Sequence, residues 1–389
     1  MSYRSGIRAI RIAAVAAAIM LAMSKPAPAM PNFAQAYGVP CSECHIQIPA
    51  LNAYGRYVQR TGYSGLNPHV LQREVPIWVD YPVSYSQQAT NAGAWDIGSL
   101  GLHADGAFGT PNSEWTYHVQ QWIWQSSQAG GLDTAWVAYN NFLNGTGHIF
   151  AGKLEVPAPS EFSQWFDVSG LTVNSSAEMT VGEHTYQLDA NRWGYKFSYI
   201  PSSFDVELAY VTSGADLNGF NTYDWMQDKT WQYKFAYANR GNPFEAGYYG
   251  ARGSWPLSEG GFDQYYTNGF YAQRDPINGW PGFLATYQMN HDGNPGGGAS
   301  AAGSNGLSYE LFDNIGKRGL ISVGEQFTND GLGTHTQIGN IDASYHIARF
   351  ITFYGEEALG VGQKPTWGGL IWFALPLGPL WPPLSQTGW

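Results

Sequence analysis

The chain has 389 residues, with little charge and many aromatic residues. Charged residues make up 13% of it, about half the share of an ordinary soluble domain. The formal net charge of −11 argues against nucleic acid as a partner, because nucleic-acid-binding proteins present basic surfaces. The 25 tyrosines and 16 tryptophans favour strands, and the 48 glycines disfavour helices.

The first predicted segment is a secretory signal peptide over residues 1–29. It has a basic start with three arginines, an apolar stretch over 12–23 and a small-residue cleavage site over 27–29. The apolar stretch is too short to span a bilayer, so it is read as a cleaved signal. We therefore expect export and a mature chain that begins at Met30.

The next feature is the stretch Cys41–His45, which holds both cysteines of the chain, two residues apart, with a histidine directly after the second. This spacing is the attachment signature of c-type haem. Each thiolate adds to one haem vinyl group, and the adjacent histidine becomes an axial ligand of the iron. We predict one covalent haem c, held by Cys41, Cys44 and His45.

Three alternative roles for the two cysteines each lack a necessary element. A structural zinc site needs four ligands, and the chain has no second cysteine pair. A thioredoxin-like dithiol needs a βαβ context, whereas strand-like segments follow here. A simple disulfide would leave the adjacent His45 without a role.

Residues 30–72 are predicted to form a small haem-binding domain. A short helix over 50–61 carries an apolar stripe of Leu51, Tyr54, Tyr57 and Val58. The stripe could pack on the porphyrin or on a surrounding protein wall, and periodicity does not separate these alternatives.

The sixth iron ligand is not fixed by the sequence. His69 follows a proline in the small domain, in a turn that could fold back over the haem. It is equally compatible with a solvated loop histidine. A methionine, a side chain from the rest of the chain and water remain as alternatives to His69.

Residues 73–389 have a period-two pattern of apolar and polar residues, as in 193–199, where aromatic side chains alternate with Gly194, Lys196 and Ser198. The pattern predicts an all-β fold. If these strands form a membrane barrel, their number is even. We therefore expect about 16 strands, and one of the candidates below would not belong to the barrel. The candidate strands are 76–87, 94–107, 113–126, 132–143, 146–155, 181–190, 192–200, 203–213, 229–238, 243–255, 262–274, 280–290, 306–316, 319–328, 335–347, 349–358 and 366–375.

Alternation alone fits either a soluble sandwich or a transmembrane antiparallel β-barrel. The barrel is favoured because aromatic residues cluster near segment ends, and because one sandwich does not hold so many strands. The apolar faces would then contact outer-membrane lipid. Residues 157–180 are too long for a turn and are expected inside the barrel.

The chain resembles the fused outer-membrane cytochrome–porins, a family that includes the outer-membrane cytochromes of iron-oxidising bacteria. The resemblance is carried by residues 37–45 and 49–56, and by the order of signal, one haem motif and barrel. Residues 151–157 also resemble the strand-to-loop junction of phosphate-porin-like barrels. One departure is Glu43, which stands where the iron-oxidising members usually carry threonine.

The resemblance implies a haem domain that plugs the barrel of a bacterial outer-membrane protein. Such a protein takes electrons from an extracellular donor, ferrous iron in some members, and passes them to a periplasmic c-type cytochrome or another carrier. The alternative is a solute-conducting porin with an accessory haem domain. A haem peroxidase would need an open iron position and a distal acid–base residue, and no motif indicates either, so electron transfer is expected rather than classical enzyme activity.

Overall fold

The computed structural model describes residues 33, 37, 39–47, 50–66, 77–87, 93–109, 114–125, 128–159, 173, 176–213, 229–296, 298, 300–348 and 350–377. The predicted signal peptide, His69 and the boundary between residues 72 and 73 lie outside these residues. No helix among them is long and apolar enough to cross a membrane.

The N-terminal part is a compact set of short elements. A 3-10 helix spans Cys41–Glu43, β1 His45–Gln47, β2 Ala50–Leu51 and α1 Ala53–Arg60. The predicted helix therefore exists, but it begins later than expected because Ala50 and Leu51 pair with β1 instead. The Asn52 side chain caps its N-terminus by accepting from the Gly55 amide at 2.9 Å.

The remaining strands follow the period-two segments closely. They are β3 Ile77–Gln87, β4 Ala94–Asp96, β5 Leu100–Phe108, β6 Trp115–Gln125, β7 Gln128–Ala129, β8 Leu132–Phe142, β9 Gly147–Leu154, β10 Met179–Val181, β11 His184–Tyr186, β12 Arg192–Tyr199, β13 Phe204–Thr212, β14 Lys229–Tyr237, β15 Phe244–Pro256, β16 Phe262–Arg274, β17 Gly282–Asp292, β18 Ala302–Ile315, β19 Gly319–Asn329, β20 His335–Ala348, β21 Ile351–Gly360 and β22 Thr366–Leu377.

Sixteen long antiparallel strands close a barrel, with the short β4 and β7 as additional pieces. The ring closes where β22 pairs with β3, from Trp367 opposite Gln87 to Leu377 opposite Ile77. The prediction of about 16 strands is confirmed. The candidate strand 181–190 is not part of the barrel wall, so that prediction was wrong. These residues contribute instead to the separate β10–β11 hairpin.

The two faces of the wall have opposite character. On β14, Gln232 is 1% exposed whereas its neighbour Trp231 is 55% exposed. On β12, Lys196 is buried and Tyr195 is exposed. Polar side chains therefore point inward and aromatic ones outward, as expected for a barrel surrounded by lipid.

The two ends of the barrel differ in their connections. One end, here called the short-turn end, has connections no longer than residues 275–281. The opposite, long-loop end includes the connection of residues 155–191. Short turns face the periplasm and long loops face outward in outer-membrane barrels.

The long connection folds into the barrel. Val173, Ala177 and Met179 are buried in one cluster with the inward-facing wall residues Tyr249 and Tyr265. The expectation that residues 157–180 enter the barrel is thus confirmed for the part that the structure describes. The described part of this connection lies against the wall in the long-loop half, as shown by the contact between Met179 and Asn290 of β17.

Candidate functional site

The Cys41–His45 stretch is held in shape by one side chain of the following helix cap. Asn52 Nδ2 donates to the carbonyl oxygens of Ser42 at 3.1 Å and Glu43 at 3.0 Å. The Asn52 backbone amide donates to Cys44 O at 2.9 Å. One residue thus joins the haem-type motif to α1.

Helix α1 lies very close to the second cysteine. A Cβ atom on Gly55 would stand 2.0 Å from the carbonyl oxygen of Cys44, so only glycine fits between the helix and the motif. This close approach was not predicted, because a glycine in a short helical segment does not indicate which residue it contacts.

Cys44 is half-buried and forms no disulfide within the described residues. Burial and, to a smaller extent, the charge of Glu43 together raise the pKa of its thiol to about 11. His45 directly after it is buried. The Cys41 backbone begins the 3-10 helix, and its side chain lies outside the described part of the chain.

Two buried arginines fix α1 to the inner wall of the barrel. Arg56 Nε lies 3.2 Å from Glu245 Oε2, and its Nη1 lies 2.7 Å from Asp275 Oδ1. Arg60 lies 2.5 Å from Glu245 Oε1 through Nη2 and 3.3 Å from Asp205 Oδ2 through Nε. The helix is therefore attached inside the short-turn half by charge.

The wall contributes two more cations to this network. Lys234 Nζ lies 3.2 Å from Asp205 Oδ2, and Lys196 Nζ lies 3.4 Å from Glu207 Oε2. With α1 in place, its two arginines and the two wall lysines face four carboxylates. Without α1, the two lysines alone would face the same four carboxylates. Since buried charges are costly unless paired, the wall and the helix complement one another.

The apolar stripe of α1 packs on the wall. Val58 is buried in a cluster with Trp136 and Phe150, and Tyr54 and Tyr57 pack against it while partly buried. This contact agrees with the wall alternative that the sequence left open.

The two short strands that follow the motif contact a different part of the wall. Ala50 is buried with Phe312 of β18 and Leu320 of β19, and Ile46 packs against them. Beyond this patch lies His346 of β20, 3% exposed. Its Nε2 has no hydrogen-bond partner among the described residues.

A second cluster that the sequence did not reveal lies at the long-loop end. His184, Asp263 and Asp292 place ligand-type atoms within 4.8 Å of one another, in an arrangement that can hold a cation. His184 Nδ1 is already 2.8 Å from Asp292 Oδ1 and 3.4 Å from Asp263 Oδ2. The imidazole of His184 thus already pairs with both carboxylates. The residues come from β11, β16 and β17, so spacing along the chain could not have united them.

No family model matches the chain, and no curated protein matches it. Solved outer-membrane structures do match its fold. OmpT of Vibrio cholerae in its trimer form gives a TM-score of 0.55 at 11% identity, over 77% of this chain and 99% of that one. Salmonella typhi OmpF gives 0.54 at 12%, over 77% and 97%. An anion-selective porin from Comamonas acidovorans gives 0.52 at 12%, over 78% and 98%.

These identities are low, so the likeness concerns the fold. The protein is a porin-like β-barrel of the bacterial outer membrane, and the exposed aromatic belt of its wall contacts lipid.

Proposed function

We propose that the protein is an outer-membrane electron-transfer protein of the fused cytochrome–porin type, with one haem c attached to Cys41 and Cys44 and ligated by His45. The observation that carries the proposal is the position of this motif. It is joined through Asn52 to a helix whose arginines are ion-paired to the inside of the barrel. Residues 30–72 then act as a haem plug in the periplasmic half.

The residues present fit such a group. The spacing of two thiols and an imidazole suits covalent haem. The Cys44 thiol is half-buried, and a buried imidazole nitrogen without a partner among the described residues lies on the wall, on His346. When bound, haem c supplies a one-electron ferric/ferrous couple, so the extracellular donor loses one electron and the periplasmic carrier gains one.

The chain's own residues have three tasks in this function. Asn52 and Gly55 fix the motif against α1. Arg56 and Arg60 fix α1 to the wall. The buried residues around Val173 and Met179 pack on the inner wall in the long-loop half, between the donor side and the motif.

The second candidate function is a solute-conducting porin with an accessory haem domain. The likeness to porins favours it, since barrels of 16 to 18 strands in that class enclose an aqueous channel. The two functions differ in what crosses the membrane, because the electron-transfer protein passes electrons and is nearly closed to solutes.

The test reconstitutes the protein, exported with a cytochrome c maturation system, into liposomes that enclose a c-type cytochrome. A reductant too large for a porin is added outside. We expect the enclosed cytochrome to be reduced by the wild type and not by the Cys41→Ala/Cys44→Ala variant. Wild-type protein that conducts ions in planar bilayers but leaves the cytochrome oxidised would support the second candidate instead.

A further inference from the structure

We infer that the barrel wall supplies the sixth ligand of the haem iron, through Nε2 of His346 on β20. The inference rests on the proposed function and deepens it. It assigns the iron a second protein ligand, supplied by the barrel, in addition to His45 of the N-terminal motif. The haem would then join the two parts of the chain.

The first observation is the unsatisfied nitrogen. His346 is 3% exposed, and its Nε2 has no hydrogen-bond partner among the described residues. A buried polar atom without a partner destabilises the folded state. An imidazole nitrogen is also a common axial ligand of haem iron, so a bound iron would satisfy this atom.

The second observation is its position beside the motif. Ile46, next to His45, packs against the cluster of Ala50, Phe312 and Leu320, the last of which lies on β19. Leu320 stands opposite Ser344 in the β19–β20 register, and His346 follows two residues later on the same inward face.

The third observation is the orientation of the ring. His346 Nδ1 lies 2.8 Å from the Thr352 hydroxyl oxygen. A proton donated from Nδ1 to that oxygen leaves Nε2 with the lone pair that a metal needs, which is the usual arrangement of ligand histidines. The β20–β21 register shifts between His346 and Ala348, and such bulges re-aim side chains.

Like His346, the other described histidines on the inner wall bond one ring nitrogen to a wall residue. His118 is bonded to Asp105, and His148 Nδ1 lies 3.0 Å from Asn140 Oδ1. His103 keeps Nδ1 without a partner, but its Nε2 lies 3.0 Å from Asp80 Oδ2. Among these histidines only His346 lies on a strand next to β19, whose Leu320 belongs to the cluster that Ile46 packs against.

The test compares ferrous and ferric spectra and midpoint potentials of the full-length protein in detergent. We expect a low-spin wild type and a His346→Ala variant that keeps its covalently stained haem but becomes high-spin. His346→Met should stay low-spin, show a methionine–iron charge-transfer band in the ferric state and have a higher potential. A histidine with a merely structural role would produce no such band.

His103→Ala is the matched control, since it removes another buried wall histidine with a nitrogen that lacks a partner. It should leave the spectrum unchanged. If His346→Ala does not form a heat-modifiable barrel, Thr352→Val serves instead, and its lost hydrogen bond should weaken the ligand and raise the potential.

The outcomes are separable. If the His346→Ala variant stays low-spin with an unchanged potential, the inference is overturned. If the His69→Ala variant becomes high-spin instead, the ligand comes from the small domain. Wild-type protein without covalent haem would instead overturn the proposed function itself.

Discussion

Arg60 of α1 and Glu245 of β15 form an ion pair inside the barrel, with Nη2 2.5 Å from Oε1 and both side chains almost fully buried. A second oxygen of the same carboxylate receives Arg56. Glu245 is therefore the residue through which the wall holds both arginines of the helix.

Removing the Arg60 charge is expected to release α1 from the wall. Arg60→Met leaves buried carboxylates without a counter-charge, a change that costs about 3–5 kcal/mol in buried pairs. We expect a lower melting temperature of the N-terminal part and higher ion conductance in planar bilayers. Lys317→Met, in an exposed turn at the same end, is the control and should change neither. Equal conductance of Arg60→Met and wild type would show that the ion pair does not keep the barrel closed.

Asn52 is expected to position the haem motif separately from its role as a helix cap. Asn52→Asp keeps an oxygen that can accept from the Gly55 amide but removes the amide group that donates to Ser42 and Glu43. Asn52→Ala removes both, with about 1 kcal/mol lost from the cap. We expect haem staining per barrel to fall in both variants, and thermal stability to fall more in Asn52→Ala. Unchanged staining in Asn52→Asp would mean that these hydrogen bonds do not shape the motif.

Gly55→Ala should separate α1 from the motif. The new Cβ would meet the Cys44 carbonyl oxygen at 2.0 Å, and a backbone atom cannot move aside as a flexible side chain can. The expected result is reduced covalent haem with a normal barrel, measured by haem stain against heat-modifiable mobility on gels. Gly145→Ala is the control for replacing a glycine, because nothing lies within 4 Å of its added Cβ, although its φ of 81° makes it mildly strained.

The barrel assignment predicts where the protein is found. It should fractionate with the outer membrane, need detergent for extraction and migrate differently on gels before and after heating. Residues 30–72 should resist protease added to intact cells, because α1 lies inside the wall. Recovery of a detergent-free monomer from the periplasm would contradict the membrane location.

The sequence by itself determined the barrel. In each strand one face contacts lipid and the other faces the interior, so apolar and polar residues alternate with period two. This alternation can be read from neighbouring residues, which is why the strands could be predicted. The haem signature is equally local, because its three residues lie within Cys41–His45. The predicted helix was also found, with its start displaced because Ala50 and Leu51 pair with β1.

Only the tertiary structure decided which alternating segment was not part of the wall. Residues 181–190 alternate like a wall strand, yet Val181 and Tyr186 pack among inward-facing tyrosines inside the barrel, where apolar burial is as favourable as contact with lipid. It also decided the partners of Arg56 and Arg60, which lie up to 219 residues away along the chain. A charge or an imidazole in a strand has no preferred partner until the ring closes, because closure brings distant strands around the same interior.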